Sequence, residues 1–377
     1  MNPIFVTSTE EGTGKTAIAV AIAKLAQDAG RDVGYFKPKG TRLRSPVGKT
    51  RDEDPLLAME VLGIEADLAD LEPVVYSPAF VEEAIRGGVD PGEIRDRVRD
   101  RYDAVAADRD LVVVEGGGRA TTGGIVDLTD PDVAELLDAR VVVVATYGKP
   151  GDADEVLAAA DRFGDRLGGV VFNAVADADR DSLTTDVVPF LEGRGVPVLG
   201  IVPRVTELAG VTVEELADAV GAENLTPTVP ADGFVERFTV GAMGSDTALP
   251  HFRRLQHAAM ITGGDRSEIQ AAALQAPGIE CLLLTGGLRP SSAILGKATD
   301  AGVPALLVRS DTKATVDRVE DVLHTGRTRD TGTVERMVGL LGDHADLDSL
   351  LAGRDGDTSA DSDPDEGGDE SGSATHD

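Results

Sequence analysis

The chain is poor in positive charge, in lysine and in cysteine, and it has no long apolar run. Only 36 of its 377 residues are basic against 67 acidic ones, for a formal net charge of −31. That balance makes nucleic acid and anionic membranes poor partners, because both would be repelled. With one cysteine, Cys281, no disulfide can close within the chain. Its place in the apolar run 279–285 reads as a buried small hydrophobe, not a nucleophile. No run approaches the ~18 apolar residues of a membrane span. The N-terminal MNPIFVT has neither the charged nor the apolar region of a signal peptide, so the cytoplasm is the expected location. The 5 histidines show no metal spacing such as H-E-x-x-H.

What is present is acid, spread evenly. Of the 36 basic residues only 8 are lysine. A dispersed acidic surface with so little lysine resembles that of haloarchaeal proteins, in which high salt screens self-repulsion. A wholly disordered acidic chain is excluded, because apolar runs recur throughout. The exception is the stretch 354–377, which holds nine acids and no large apolar residue, and is expected to be a disordered tail.

Short valine-rich strands alternate with helical segments over the first 205 residues. Strands are expected at Ile4–Thr7, Val33–Phe36, Leu111–Val114, Val141–Ala145, Gly169–Phe172 and Val198–Val202. Helices fit at Lys15–Asp28, Arg51–Leu62, Pro91–Ala107, Asp132–Leu137, Ala153–Phe163 and Leu183–Arg194. Non-alternating apolar strands separated by helices imply an α/β fold with a doubly wound, mostly parallel sheet. Residues 206–232 are turn-rich and read as a linker, with Thr212-Val213-Glu214-Glu215 opening a short helix. A smaller α/β domain is expected over 233–345, with strands at Glu236–Ala242, Ala258–Thr262, Glu280–Thr285 and Ala305–Arg309.

The stretch FVTSTEEGTGKT, Phe5 to Thr16, ends like a phosphate-binding loop but has Thr9 where G-x-x-x-x-G-K-[ST] has its first glycine. In such a loop Lys15 reaches phosphate, the Thr16 hydroxyl ligates Mg²⁺, and the backbone amides of Gly12, Thr13, Gly14 and Lys15 cradle the anion at a helix N-terminus. Three further stretches add to it. YFKPKG puts Lys37 at a strand end, RDEDP puts Asp52 and Asp54 in a loop or first helical turn, and LVVVEGGG puts Glu115 before the glycines Gly116 and Gly117. Carboxylates at strand ends beside a phosphate loop suit Mg²⁺. Each of these has a plainer reading: a solvated lysine, a helix N-terminus favoured by its dipole, a glycine turn.

Taken with VVFNA around Asn173 and LGIVPR around Pro203, these stretches, in this order, resemble the dethiobiotin synthetase-like branch of P-loop proteins over residues 2–205. In that family's longer loop Ser8 occupies the first-glycine position, and Thr9 is a residue the family also uses. The resemblance implies ATP and Mg²⁺ as cofactors. It assigns phosphate and metal contact to Lys15 and Thr16, the essential lysine to Lys37, the metal carboxylates to Asp54 and Glu115, and adenine recognition to Asn173. The family reaction activates a carboxylate or carbamate with ATP. Ser8 and the acidic Glu10-Glu11 pair depart from its pattern, and Lys39-Gly40-Thr41-Arg42 replaces its small serine-glycine run.

The turns ITGGDRSEIQ, LLLTGGLRPS and LVRSDTKAT resemble the DRTGG domain, and offer Gly264, Asp265, Arg266, Thr285, Gly286, Gly287, Asp311 and Thr312 as ligand candidates or, equally, as turn and cap residues. The pairing of the two domains resembles the N-terminal half of long phosphotransacetylases, without the acetyltransferase domain. Three roles follow from this: a stand-alone nucleotide-binding regulator in acetyl-CoA metabolism, an ATP-dependent ligase or ATPase, or an assembly partner with a vestigial loop. The resemblance also implies a homo-oligomer and an acetyl-CoA enzyme as partner.

Overall fold

The computed structural model of the chain describes residues 3–41, 43–44, 51–325 and 330–352. Arg42 and the acidic stretch 354–377 lie outside the described residues. Among the described residues no helix is long and apolar enough to cross a membrane.

The first sheet has six strands: β1 (Ile4–Ser8), β2 (Val33–Phe36), β3 (Leu111–Glu115), β4 (Arg140–Ala145), β5 (Leu167–Val175) and β6 (Val198–Pro203). Their order is β6-β5-β4-β1-β3-β2, and every pairing is parallel. The valine runs follow from this, since both faces of the sheet are covered. On one face lie α1 (Lys15–Asp28) and α2 (Asp54–Leu62); on the other lie α3 (Pro91–Ala106), α4 (Asp130–Leu136) and α5 (Ala153–Phe163). Because all six strands are parallel, Ser8, Phe36, Glu115 and Pro203 end on one edge, with the order reversing around β1. That edge is where open α/β sheets bind ligands.

Two expected helices are trimmed. The segment expected as Arg51–Leu62 begins at Asp54, because Arg51–Asp52 pairs antiparallel with Leu43–Arg44. The segment expected as Leu183–Arg194 is a wide turn, Leu183–Val187, followed by Val188–Glu192. Pro189 supplies no amide there, so the ladder reorganises at its N-terminal side.

The second sheet runs β7-β11-β10-β9-β8, with β7 (Glu223–Asn224), β8 (Arg237–Val240), β9 (Ala258–Gly263), β10 (Ile279–Thr285) and β11 (Ala305–Leu307). Its helices are α6 (Val213–Val220), α7 (Ser267–Ala273), α8 (Ser292–Ala301) and α9 (Thr312–Thr325). From Val211 on, the 206–232 segment is thus part of the second unit, and only the residues before it connect the two. Thr212 and Glu215 form the capping box that opens α6, as its sequence suggests. Val213, Leu216, Ala217 and Val220, spaced for one helix face, join the core of the second unit, and β7 pairs antiparallel with β11. Cys281 is fully buried in that core, and burial pushes its thiol up to about 12.

The C-terminal boundary also moves. Helix α10 (Thr331–His344) leaves the second unit and lies along α1, with Val334, Met337, Leu340 and Leu341 in the same core cluster. Beyond it Ala345 bridges Gly200 and the Asp346 amide donates to Leu199 O at 2.8 Å, so 331–351 belongs to the first unit. The physical reason is α1 itself. Its run TAIAVAIA is apolar on every face, and the sheet covers only one. The second unit is therefore an insertion between β6 and α10.

Leu341 is fully buried at this seam. Leu341→Ala should lower stability by about 2–5 kcal/mol, measured by denaturant unfolding in molar KCl. Cys281 should fail to react with Ellman's reagent in the folded protein and react fully once unfolded.

Candidate functional site

The loop after β1 turns at Gly12 and Gly14, whose φ of 77° and 83° lie in the left-handed region that suits glycine. A Cβ on Gly14 would also meet Asn173 Nδ2 at 2.4 Å. The Asn173 amide in turn donates to Thr13 O at 2.8 Å, fixing the loop from the end of β5. Ser8 closes the turn by donating its hydroxyl to Glu10 O at 2.8 Å, which a glycine could not do. Thr9 donates its amide to Val144 O and stands outside the cavity lining. The acidic pair sits at the rim. Glu10 accepts from the Thr146 hydroxyl at 2.7 Å and Glu11 faces Arg119 at 4.0 Å.

Above the loop is a cavity of about 660 Å³. Its floor is Gly12, Thr13, Gly14, Lys15 and Thr16, and Lys37, Asp54, Glu115 and Gly116 form one side. Asn173 and Pro203 line the other. Gly117 lies behind this wall, where a Cβ would strike Lys39 O at 2.4 Å.

The centre of the site is a buried charge cluster. Lys37 Nζ donates to Asp54 and lies 3.2 Å from Asp52 Oδ2 and 3.3 Å from Glu115 Oε1. Burial alone would lower the Lys37 pKa, but Asp54, Glu115 and Asp52 outweigh it and hold the ammonium above its ordinary value. Burial raises the Glu115 carboxyl, against the pull of Lys37. Thr16 donates to Glu115 Oε1 at 2.8 Å and Tyr35 to Glu115 Oε2 at 2.6 Å. Asp52 also accepts the Thr41 and Asp54 amides at 3.0 and 3.1 Å, ordering the loop that presents Asp54. Lys15 sits deep but touches the cavity; burial lowers its pKa, and it donates to Gly118 O at 2.7 Å.

A second buried pair stands beside the first. Lys39 donates to Asp130 Oδ1 at 2.7 Å and to Leu128 O, and Thr7 donates to Asp130 Oδ2 at 2.6 Å. Sequence reasoning missed Tyr35, Lys39 and Asp130 as parts of this network. The signal available was two lysines two residues apart at a buried strand end, which demands two acids.

The residues fit a magnesium nucleotide. Thr16, Asp54 and Glu115 are hard oxygen donors of the kind that suits Mg²⁺, and they border the phosphate loop. Among the described residues no group of three His, Cys, Asp or Glu side chains is arranged to hold a metal ion by itself. The Thr13 hydroxyl in the loop is buried and makes no hydrogen bond among the described residues.

In the second unit the candidates gather at the ends of three adjacent parallel strands. Thr285 and Thr312 hydroxyls are 2.8 Å apart, and Gly286 and Gly287 amides donate to Ser310 O and Val308 O. Asp311 caps the Ala314 amide at 3.0 Å, and Arg266 donates to Gly241 O at 2.8 Å. A Cβ on Gly264 would overlap Leu288 O at 1.6 Å. Asp265 is exposed at this edge.

The AAA domain family model matches residues 2–212, more than half of the chain. The chain belongs to that family. The DRTGG domain model matches residues 215–322, which is the inserted unit. The chain is 25% identical over 369 residues to the phosphate acetyltransferase of Pseudomonas putida, covering 92% of this chain and 51% of that protein. It is 28% identical over 228 residues to the ATP-dependent dethiobiotin synthetase BioD of Bacillus licheniformis, covering 57% of this chain and 92% of that one. It therefore spans about half the length of the phosphate acetyltransferases it matches. Among solved structures, the CBS and DRTGG domains of the regulatory region of Clostridium perfringens pyrophosphatase align with 45% of this chain and 68% of that one, at 17% identity and a TM-score of 0.25.

Gly14→Ala should cost about 1–3 kcal/mol in thermal unfolding, from a left-handed φ on a residue with a Cβ. In an Asn173→Ala background Gly14→Ala should cost less than in the parent, because the clash with Asn173 Nδ2 is gone while the backbone cost stays.

Proposed function

We propose that this protein binds ATP with Mg²⁺ over the AAA-domain loop and acts as a nucleotide-responsive regulator in acetyl-CoA and acetate metabolism, beside an enzyme related to phosphate acetyltransferase. The observation that carries the nucleotide reading is the buried Lys37–Asp52–Asp54–Glu115 cluster opening onto the same cavity as an intact Gly-Lys-Thr loop. The loop amides and Lys15 bind and orient the phosphates at the N-terminus of α1. Thr16, Asp54 and Glu115 would hold the metal, which when bound offsets the charge of the terminal phosphates. The side-chain oxygen of Asn173, not engaged by the Thr13 bond, is the group offered to an exocyclic amino group of the base. The DRTGG domain is proposed to take a small ligand, such as a nucleotide, at the Thr285–Thr312 edge. A second copy of the chain is the proposed partner in an oligomer.

A second reading is an ATP-dependent ligase or ATPase. Lys37 favours it, because a buried ammonium on the wall of the phosphate cavity can offset charge that develops on a moving phosphoryl group. The dethiobiotin synthetase relatives perform an ATP-dependent reaction, as their name states.

Calorimetry in molar KCl with Mg²⁺ should show ATP binding that Lys15→Ala abolishes; no binding by the unaltered chain would overturn the nucleotide reading. Phosphate release then separates the two roles. The regulator releases none, whereas an enzyme shows turnover that Lys37→Ala reduces by about 10²–10⁴-fold with binding largely kept.

A further inference from the structure

We infer that the nucleotide's base is read by α10, through Thr333 and Met337, residues the chain reaches only after completing the inserted DRTGG domain. The inference rests on the reading that nucleotide phosphates occupy the loop after β1. The sheet order then fixes the direction of the ligand. Lys37 follows β2 and Glu115 ends β3, both on one side of β1, so terminal phosphates face that side. The base must extend the other way, toward the ends of β5 and β6.

At that end the cavity is lined by Asn173, Pro203, Val205, Leu208, Thr333 and Met337. The surface is mostly apolar with a few polar groups, which is the composition that holds a flat heterocycle by its faces and reads its edge. Thr333 and Met337 are one helical turn apart and share a face of α10. Met337 is 3% exposed and packs in the α1 cluster, so the wall it makes is firm, and a thioether packs well against a ring. Thr333 adds a hydroxyl near the start of the helix, where the Thr333 amide is held by Asp330 at 2.6 Å. Pro203, Val205 and Leu208 lead into the inserted domain, and α10 leads out of it. The base is thus held by the two connectors of that domain. Arg204, which also lines the cavity, pairs with Glu236 at the edge of the inserted sheet.

The test compares Mg·ATP with inorganic tripolyphosphate and Mg²⁺ by calorimetry on the full chain in molar KCl. Met337→Ala should weaken ATP about tenfold and leave tripolyphosphate unchanged. Thr333→Ala, at a half-buried position outside the core cluster, should weaken ATP about threefold with the same selectivity and serves if Met337→Ala does not fold. An unchanged ratio of ATP to tripolyphosphate affinity in the folded variants, with Lys15→Ala losing both ligands, overturns the role of α10 and leaves the phosphate site standing. If Lys15→Ala leaves both ligands bound as before, the phosphate-site reading fails and this inference with it.

Discussion

One ammonium set among three carboxylates organises the ligand edge of this protein. Lys37 comes from the end of β2, Asp52 and Asp54 from the turn into α2, and Glu115 from the end of β3. Burying these charges is costly, and the burial is sustained only while each has its partner. Glu115 extends the network to α1 through Thr16 and to the centre of β2 through Tyr35. Four segments distant in sequence are therefore held in one register by charge, and the Gly-Lys-Thr loop sits against a wall already shaped for a cation and phosphate.

The second constraint is the helix that carries the loop. Because α1 is apolar all round, the sheet cannot satisfy it alone. The outer cover comes from α2 and from α10, a helix that follows a complete second domain in sequence. The phosphate-loop domain is accordingly discontinuous, and the DRTGG domain is tethered at both ends beside the Asn173–Pro203 end of the cavity. Ser8 belongs to a turn closed by its own hydroxyl, and the acidic Glu10 and Glu11 are held at the rim by Thr146 and Arg119.

Much of the architecture was legible because it is local. Valine runs without alternation specify strands buried on both faces, and Gly12, Gly14, Lys15 and Thr16 specify a phosphate loop wherever they follow such a strand. Strand-end placement likewise brought Lys37 and Glu115 to the cavity wall. Two closely spaced lysines at a buried strand end called for acids, but that Asp130 answers Lys39 was not legible, since it lies 91 positions away and nothing local marks it as the partner. Glycines 116 and 117 look alike in sequence, yet only the first reaches the cavity, because the second is pressed against the Lys39 backbone.

The sequence by itself determined the strands, the phosphate loop and the charged residues that flank it, because these follow from neighbours a few positions apart. The tertiary structure alone decided which acids share one lysine, where the inserted domain begins and ends, and that α10 closes over α1 and the far end of the cavity. Those outcomes depend on contacts between segments distant in sequence, from Lys37 with Glu115 to α1 with α10. What fixes them is the need to cover apolar surface and pair buried charge, and that need can be met only once the whole chain has folded.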